Sequence, residues 1–211
     1  MRTKLNSKYQ GLLFLLCVLF PFQGLFAQND LAADFPKGYT PKEVGKRLAY
    51  HFTDDRHDLY GGRWIHYAEV CTWNGALRYA VITKDRKLVK LLQDKFEPLF
   101  STEKKLLPIM NHVDLNMFGS LALELYQITK DKRYLDLGLA YADTQWEAPE
   151  NARPEEKAWA EKGYTWQTRL WIDDMYMITI LQTQAWKVTG DRKYIDRAAK
   201  EMVMYLDELQ R

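Results

Sequence analysis

The sequence is poor in cysteine and histidine, and each shortage excludes a class of protein. Among its 211 residues are two cysteines, Cys17 and Cys71, and four histidines. Cys17 lies in an N-terminal apolar run that we expect to be removed, so Cys71 has no partner and a disulfide-stabilised fold is excluded. No histidine constellation marks Cys71 as a nucleophile. The histidines form no pair spaced for zinc around a glutamate, so we expect neither a metal nor another cofactor.

An excess of charge and a nucleotide-binding motif are also lacking. Thirty Lys and Arg residues balance twenty-eight Asp and Glu residues, for a formal charge of +2. This balance gives no basic surface for nucleic acid or for a membrane. The segment 60–63 (YGGR) lacks the Lys-Ser/Thr that completes a phosphate loop, so we interpret it as a turn. The expected partner is a small molecule, a sugar or a protein.

The one long apolar run is too short to span a membrane. It covers the 15 residues from Leu12 to Phe26, whereas a spanning helix needs about 20. A basic segment precedes it and the small residue Ala27 ends it, which is typical of a secretory signal peptide. We predict a signal peptide over 1–27, cleavage before Gln28, and a mature periplasmic or secreted domain over 28–211 without a stable membrane anchor. An uncleaved anchor is the alternative.

A turn pattern recurs three times in the remaining chain. Each copy follows a long apolar segment and opens an amphipathic one. Its Asp is expected to cap the new helix, and the Lys or Gly before that Asp is expected to close the old helix. The repeat unit is therefore predicted to be a helical hairpin. The three copies are 83–88 (TKDRKL), 129–134 (TKDKRY) and 189–194 (TGDRKY).

The two helices of a hairpin differ in character. The segment after Asp191 has one apolar and one charged face, as expected of an outer helix. The segment from Leu170 to Trp186 is apolar almost all round, as expected of an inner helix beside a central cavity. A capping box at Thr40 and Glu43 predicts a further helix from Pro41 onward.

These patterns favour an all-α fold, because no segment alternates for long enough to demand a strand. We predict an α/α toroid of the (α/α)6-barrel type, with a superhelical solenoid as the alternative. About three hairpins are present, so we expect an incomplete ring and a truncated toroid domain. We also expect association through the open end of that ring.

Three carboxylates are placed alike within the repeat. Glu69, Asp114 and Asp173 lie 14, 15 and 16 residues before the threonine of their own turn pattern. At about 1.5 Å per residue they fall near the starts of inner helices, on one rim of the barrel. A carboxyl among apolar residues holds its proton more tightly, as a general acid must.

Other roles remain open for these acids. Asp114 is alternatively the cap of a helix that begins at Leu115. Only one of Asp173 and Asp174 can face the cavity, because neighbours on a helix diverge by about 100 degrees. We interpret Glu69 as structural, since no motif supports it.

Two segments resemble a known family. The segment 169–177 (RLWIDDMYM), followed by the turn at 189–194, resembles the Trp-x-Asp segment of unsaturated glucuronyl and rhamnogalacturonyl hydrolases, glycoside hydrolase families 88 and 105. The segment 111–115 (NHVDL), with Gly119, resembles their second acidic segment. The resemblance extends from about residue 45 to the end. It implies a toroid of six hairpins, of which this chain holds the N-terminal half.

The resemblance also implies an activity. These enzymes act on small acidic oligosaccharides whose terminal uronic acid carries a 4,5-double bond left by a polysaccharide lyase. Asp173 would protonate C4 and then activate the water that adds at C5, and Asp114 would position the uronyl hydroxyls. The alternatives are a non-catalytic helical-repeat module that binds glycan or protein, and another α/α-toroid sugar enzyme. Candidate substrate-binding residues are Trp73, His112, Trp166, Arg169, Trp171 and Tyr176, whose aromatic members are alternatively core residues.

Overall fold

The computed structural model describes residues 35–210, and the chain divides into two units, Met1–Gly45 and Lys46–Arg211. All regular structure in the described residues is helical, which confirms the all-α prediction. The predicted signal peptide over 1–27 lies outside the described residues. Among the described helices, none has the length and apolar character needed to cross a membrane.

The described chain forms the following helices, named in chain order. They are α1 (Pro41–Asp54), α2 (Tyr67–Ile82), α3 (Arg86–Phe96), α4 (Val113–Asn116), α5 (Phe118–Thr129), α6 (Lys132–Thr144), α7 (Pro154–Glu161), α8 (Ile172–Thr189) and α9 (Arg192–Leu209). Short 3₁₀ turns occupy Leu59–Gly61, Glu97–Phe100 and Lys104–Leu106.

The predicted capping box at the start of α1 is confirmed. The Glu43 backbone N–H donates to Thr40 Oγ1 at 3.2 Å, and the Thr40 N–H donates to Glu43 Oε2 at 3.2 Å. Each side chain therefore satisfies a backbone donor that the helix itself leaves unpaired.

The three predicted turns share one geometry. Asp85, Asp131 and Asp191 each cap the next helix by accepting a backbone N–H at 2.9–3.0 Å. The threonine two positions earlier donates to the carbonyl four residues before it, at 2.7–2.8 Å. The residue between them takes a left-handed conformation that ends the preceding helix. These residues are Lys84, Lys130 and Gly190, with φ of 57°, 62° and 73°.

The helices pack as consecutive pairs. The pairs in contact are α2 with α3, α5 with α6, and α8 with α9. The first helices of successive pairs also contact one another, in the order α2, α5, α8. The short helix α4 contacts α8, and this contact brings two of the predicted acidic segments together.

Aromatic rings fill the core between the first two pairs. Phe96 has its ring centroid 5.6 Å from that of Trp73, 5.5 Å from Phe118 and 5.2 Å from Tyr134. The Trp73 ring is fully buried, and its Nε1 donates to the Leu92 carbonyl at 3.2 Å. The prediction that Trp73 binds substrate is therefore wrong, because its stacking surface and its polar atom both serve the core.

Helices α5 and α6 approach closely at two glycines. A Cβ on Gly138 would lie 2.5 Å from Leu123 Cγ and 2.9 Å from the Gly119 carbonyl oxygen. A Cβ on Gly119 would lie 2.5 Å from Tyr141 Cβ. A close-packed interior has no room for such an atom without a shift of the backbone.

We expect Gly138→Ala to lower the free energy of unfolding by about 1–3 kcal/mol, the usual cost of overpacking a core. Gly75→Ala in α2 is the matched control, because Gly75 is exposed and nothing lies within 4 Å of its added Cβ. That change is expected to raise stability by about 0.5–1 kcal/mol, since alanine favours the helix. Urea unfolding measures both, and equal effects would contradict the close crossing.

Candidate active site

The three predicted carboxylates all lie in the first turn of a helix. Glu69 belongs to α2, Asp114 to α4 and Asp173 to α8. The start of α4 differs from the prediction, because the helix begins at Val113 and not at Leu115. Asp114 is thus inside the helix, and the alternative that it serves as the N-cap is wrong.

Arg169 connects the two acidic segments. Its Nε donates to Asp174 Oδ2 at 2.9 Å, and its Nη2 donates to Asp174 Oδ1 and, at 3.1 Å, to Asp114 Oδ1. Its Nη1 lies 3.0 Å from His112 Nε2. Four of the five guanidinium donors are therefore engaged with protein atoms. We call His112, Asp114, Arg169 and Asp174 the Arg169 cluster. Arg169 therefore holds its neighbours in place, and its role as a substrate ligand stays a prediction.

The adjacent acids of α8 have opposite environments. Asp174 is 0% exposed and paired with Arg169, whereas the Asp173 side chain is exposed and makes no hydrogen bond to any residue in the described range 35–210. The hydrogen bonds that Arg169 donates to Asp174 raise the pKa of Arg169, so the guanidinium remains charged. Asp173 is therefore the acid of this pair that can meet a ligand, but it lies in solvent and not in the apolar surroundings expected from the sequence.

A bend separates Arg169 from α8. Leu170 has φ of 58°, Trp171 is extended, and the helix begins at Ile172 and not at the predicted Leu170. The bend places the Arg169 Cζ 4.8 Å from the centre of the Trp171 ring, a cation–π contact. Trp171 is 61% exposed and Tyr176 is 48% exposed, so both predicted substrate-binding rings have surface to offer.

His112 joins the start of α4 to Arg169. Its Nδ1 accepts from the Asp114 backbone N–H at 3.2 Å and so caps α4. The same nitrogen lies 3.6 Å from Asp114 Oδ2, and Nε2 lies 3.0 Å from Arg169 Nη1. The ring therefore lies between the cap of α4 and the Arg169 guanidinium.

A comparison with protein families identifies the family of this chain. The model of Glycosyl Hydrolase Family 88 matches residues 41–210, which include the whole Arg169 cluster. The chain belongs to glycosyl hydrolase family 88. The predicted resemblance is therefore confirmed at the level of the family, and the general class is that of glycoside hydrolases. Searches of curated proteins and of solved structures found no match.

His66 is a further candidate residue near the acids, and neither the family match nor the predicted motifs point to it. His66 precedes α2 just as His112 precedes α4, and each lies 17 residues before the threonine of its turn pattern. This equal spacing is the signal that would have found it. Burial lowers the pKa of His66 against the opposing pull of Asp114 and Glu69, so its ring lies within the field of both acids.

Glu69 serves the core of this family 88 domain. Its carboxylate is buried and pairs with His57 Nδ1. The His57 ring in turn stacks on Trp73 with ring centroids 5.6 Å apart. Because these contacts hold Glu69 away from solvent, we place it outside the proposed catalytic group, as in its interpretation from sequence.

The segment before Arg169 is anchored to the end of α6 and to the middle of α9. Trp166 is only 5% exposed, and its Nε1 donates to the Thr144 carbonyl at 2.7 Å. The prediction that Trp166 binds substrate is wrong, since the ring fixes this segment to the end of α6. Buried Glu201 of α9 accepts from the Thr165 N–H at 3.2 Å and from Thr168 Oγ1 at 2.8 Å.

Burial raises the pKa of Glu201 to about 7, from an ordinary value of 4.5. Between these two values the unfolded chain loses the proton while the folded chain keeps it, so stability falls as the pH rises. We expect Glu201→Gln to match the wild type near pH 4.5 and to exceed it at pH 8 by on the order of 2–3 kcal/mol. A glutamine still accepts from Thr165 and can donate to the Thr168 hydroxyl.

Urea unfolding at the two pH values measures this difference. Glu161→Gln is the control, because Glu161 is exposed at the end of α7. A stability gain for Glu201→Gln that is the same at both pH values would contradict the buried, protonated glutamate.

Proposed function

We propose that this family 88 domain hydrolyses oligosaccharides that end in a 4,5-unsaturated uronic acid. The main support is the contrast on α8, where Asp174 holds Arg169 and leaves Asp173 exposed and without a hydrogen bond among the described residues. A carboxyl that makes no hydrogen bond within the fold and lies near an exposed tryptophan suits proton transfer to a bound sugar. We also propose that α2, α5 and α8 face the central cavity of a toroid.

The proposed reaction begins with proton transfer from Asp173 to C4 of the double bond. The positive charge that develops at C5 is shared by the ring oxygen. Water then adds to C5 and gives a proton to the Asp173 carboxylate, which restores the acid. The resulting hemiketal opens to a C5 ketone. C1 is left as a hemiacetal, which expels the hydroxyl of the neighbouring sugar and so breaks the glycosidic bond.

The other residues supply position. Asp114 is fixed by Arg169 on one oxygen, and its other oxygen lies 3.6 Å from His112 Nδ1, so its carboxylate has a defined place from which to bind the uronyl hydroxyls. The exposed rings of Trp171 and Tyr176 offer apolar faces on which a sugar can stack. Holding the sugar in one orientation is itself a large part of catalysis.

The direct test is turnover of an unsaturated disaccharide by the purified chain. Hydration removes the double bond, so the near-ultraviolet absorbance of the disaccharide should fall with time. Unsaturated galacturonyl and glucuronyl disaccharides should both be tried, with circular dichroism to show that the protein is helical. A folded protein that changes neither absorbance would contradict the proposal and favour a binding module.

A further inference from the structure

One cavity is lined by residues that are neighbours in the sequence of the Arg169 cluster. Its volume is about 320 Å³, and its lining includes Arg63, Trp64, Lys105, Ile109, Asn111 and Leu115. Two of these side chains are cationic, and none of the described lining residues is acidic. We call it the basic cavity.

The walls of the basic cavity are held in place by the backbone and by a stacked pair. The buried Ile65 donates its backbone N–H to the Leu106 carbonyl at 2.9 Å, which joins the two segments that form the walls. The Arg63 guanidinium lies 4.7 Å from the centre of the Trp64 ring. Its Nε also donates to the Tyr60 carbonyl at 3.1 Å. Arg63 and Trp64 are therefore presented as one ordered unit.

The basic cavity adjoins the Arg169 cluster through a single helical turn. Asn111 directly precedes His112, and Leu115 directly follows Asp114. Because consecutive Cα atoms are about 3.8 Å apart, the Cα atoms of Asn111 and Leu115 lie within one sugar length of those of His112 and Asp114.

Aromatic rings continue from the cavity toward the acids. The Tyr60 ring stacks on Trp64 with centroids 6.2 Å apart, and on His66 with centroids 4.3 Å apart. His66 is in turn within the field of Asp114. Tyr60 itself is 59% exposed, so the three rings offer stacking surface between the basic cavity and the Arg169 cluster.

The cationic, aromatic and amide side chains of the lining suit an acidic sugar. Ammonium and guanidinium groups bind carboxylates, an indole face covers the apolar face of a pyranose ring, and an amide meets hydroxyls. We propose that the basic cavity binds a second uronate of the substrate, on the far side of the bond that is cleaved. The inference rests on the proposed function for the direction in which the oligosaccharide lies. A uronate site in the basic cavity would make acidic trisaccharides and longer acidic chains better ligands than neutral ones.

Binding of two matched trisaccharides tests this assignment. One carries a uronate at its reducing end and the other carries the corresponding neutral sugar, and both have a saturated non-reducing end that cannot be hydrated. Calorimetry on the wild-type chain should show tighter binding of the acidic trisaccharide, and the difference should shrink as salt rises.

Neighbouring lysines provide the variants. Lys105→Glu should weaken binding of the acidic trisaccharide on the order of tenfold, because it places a like charge beside the uronate. Lys104→Glu makes the same charge change one residue outside the lining and should stay within about twofold. Lys105→Gln should give a smaller loss than Lys105→Glu, and circular dichroism checks that each variant is folded.

Each outcome bears on the proposal. Equal binding of the two trisaccharides by the wild type, or equal losses in the Lys104 and Lys105 variants, would overturn the basic cavity as a uronate site. Turnover of the unsaturated disaccharide is measured separately. Turnover without a preference for the acidic trisaccharide removes this inference and leaves the function. A Lys105-dependent preference without turnover supports the cavity and removes the proposed reaction.

Discussion

Replacing Asp173 with asparagine is expected to lower turnover of an unsaturated disaccharide by about 10²–10⁴-fold, the usual worth of general acid–base catalysis. Asparagine has nearly the same shape but can neither give up the proton that C4 needs nor take one from the attacking water. The Asp173 side chain is exposed and makes no hydrogen bond to the described residues, so the change removes no hydrogen bond from the fold. The midpoint of urea unfolding should therefore remain that of the wild type.

Asp207→Asn is the control for this experiment, because Asp207 is an exposed acid on α9 and lies outside the site. It should leave both turnover and stability unchanged. If Asp173→Asn retained activity within about twofold of the wild type, another group would have to supply the proton.

Replacing Asp174 with alanine is expected to lower the free energy of unfolding by about 3 kcal/mol, the lower end of the cost of breaking a buried ion pair. The loss leaves the Arg169 guanidinium without its bidentate partner. The lower end applies because the Arg169 side chain is itself about a quarter exposed and keeps its bond to Asp114. Turnover should fall as well, since Arg169 no longer holds a fixed orientation.

The exposed pair of Arg192 and Asp196 supplies the comparison. Its atoms lie 3.1 Å apart at helix spacing, with both side chains largely in solvent. Asp196→Ala should cost no more than about 0.5 kcal/mol, as is usual for such pairs. Similar losses in the two variants, measured by urea unfolding, would contradict a special role for the Arg169 cluster.

The turns between helices were predictable from the sequence because their chemistry is local. A threonine, a left-handed residue and an aspartate satisfy the backbone at the end of one helix and the start of the next. The contacts of Asp131 are therefore set by residues within a few positions of it. The same local logic placed Glu69, Asp114 and Asp173 in first turns.

The direction of the large side chains was not predictable in this way. Trp73 and Trp166 lie close to acids in the sequence, but each ring packs against a helix that is distant along the chain. Which atoms surround a ring depends on how helices pair, and spacing alone does not determine this. The contact between Arg169 and Asp114 was missed for the same reason, because Asp114 comes from another helix.

The non-helical segment around Leu170, which has a left-handed conformation, sets which acid Arg169 meets. In an unbroken helix, the side chain at 169 would face positions 172 and 173, three and four residues on, so Arg169 would pair with Asp173. The bend shifts this register, and Arg169 instead reaches Asp174, five residues on. A bulky aliphatic residue in this conformation costs on the order of 1–2 kcal/mol. The conformation of this segment thus pairs one of two adjacent carboxylates with Arg169 and leaves the other exposed.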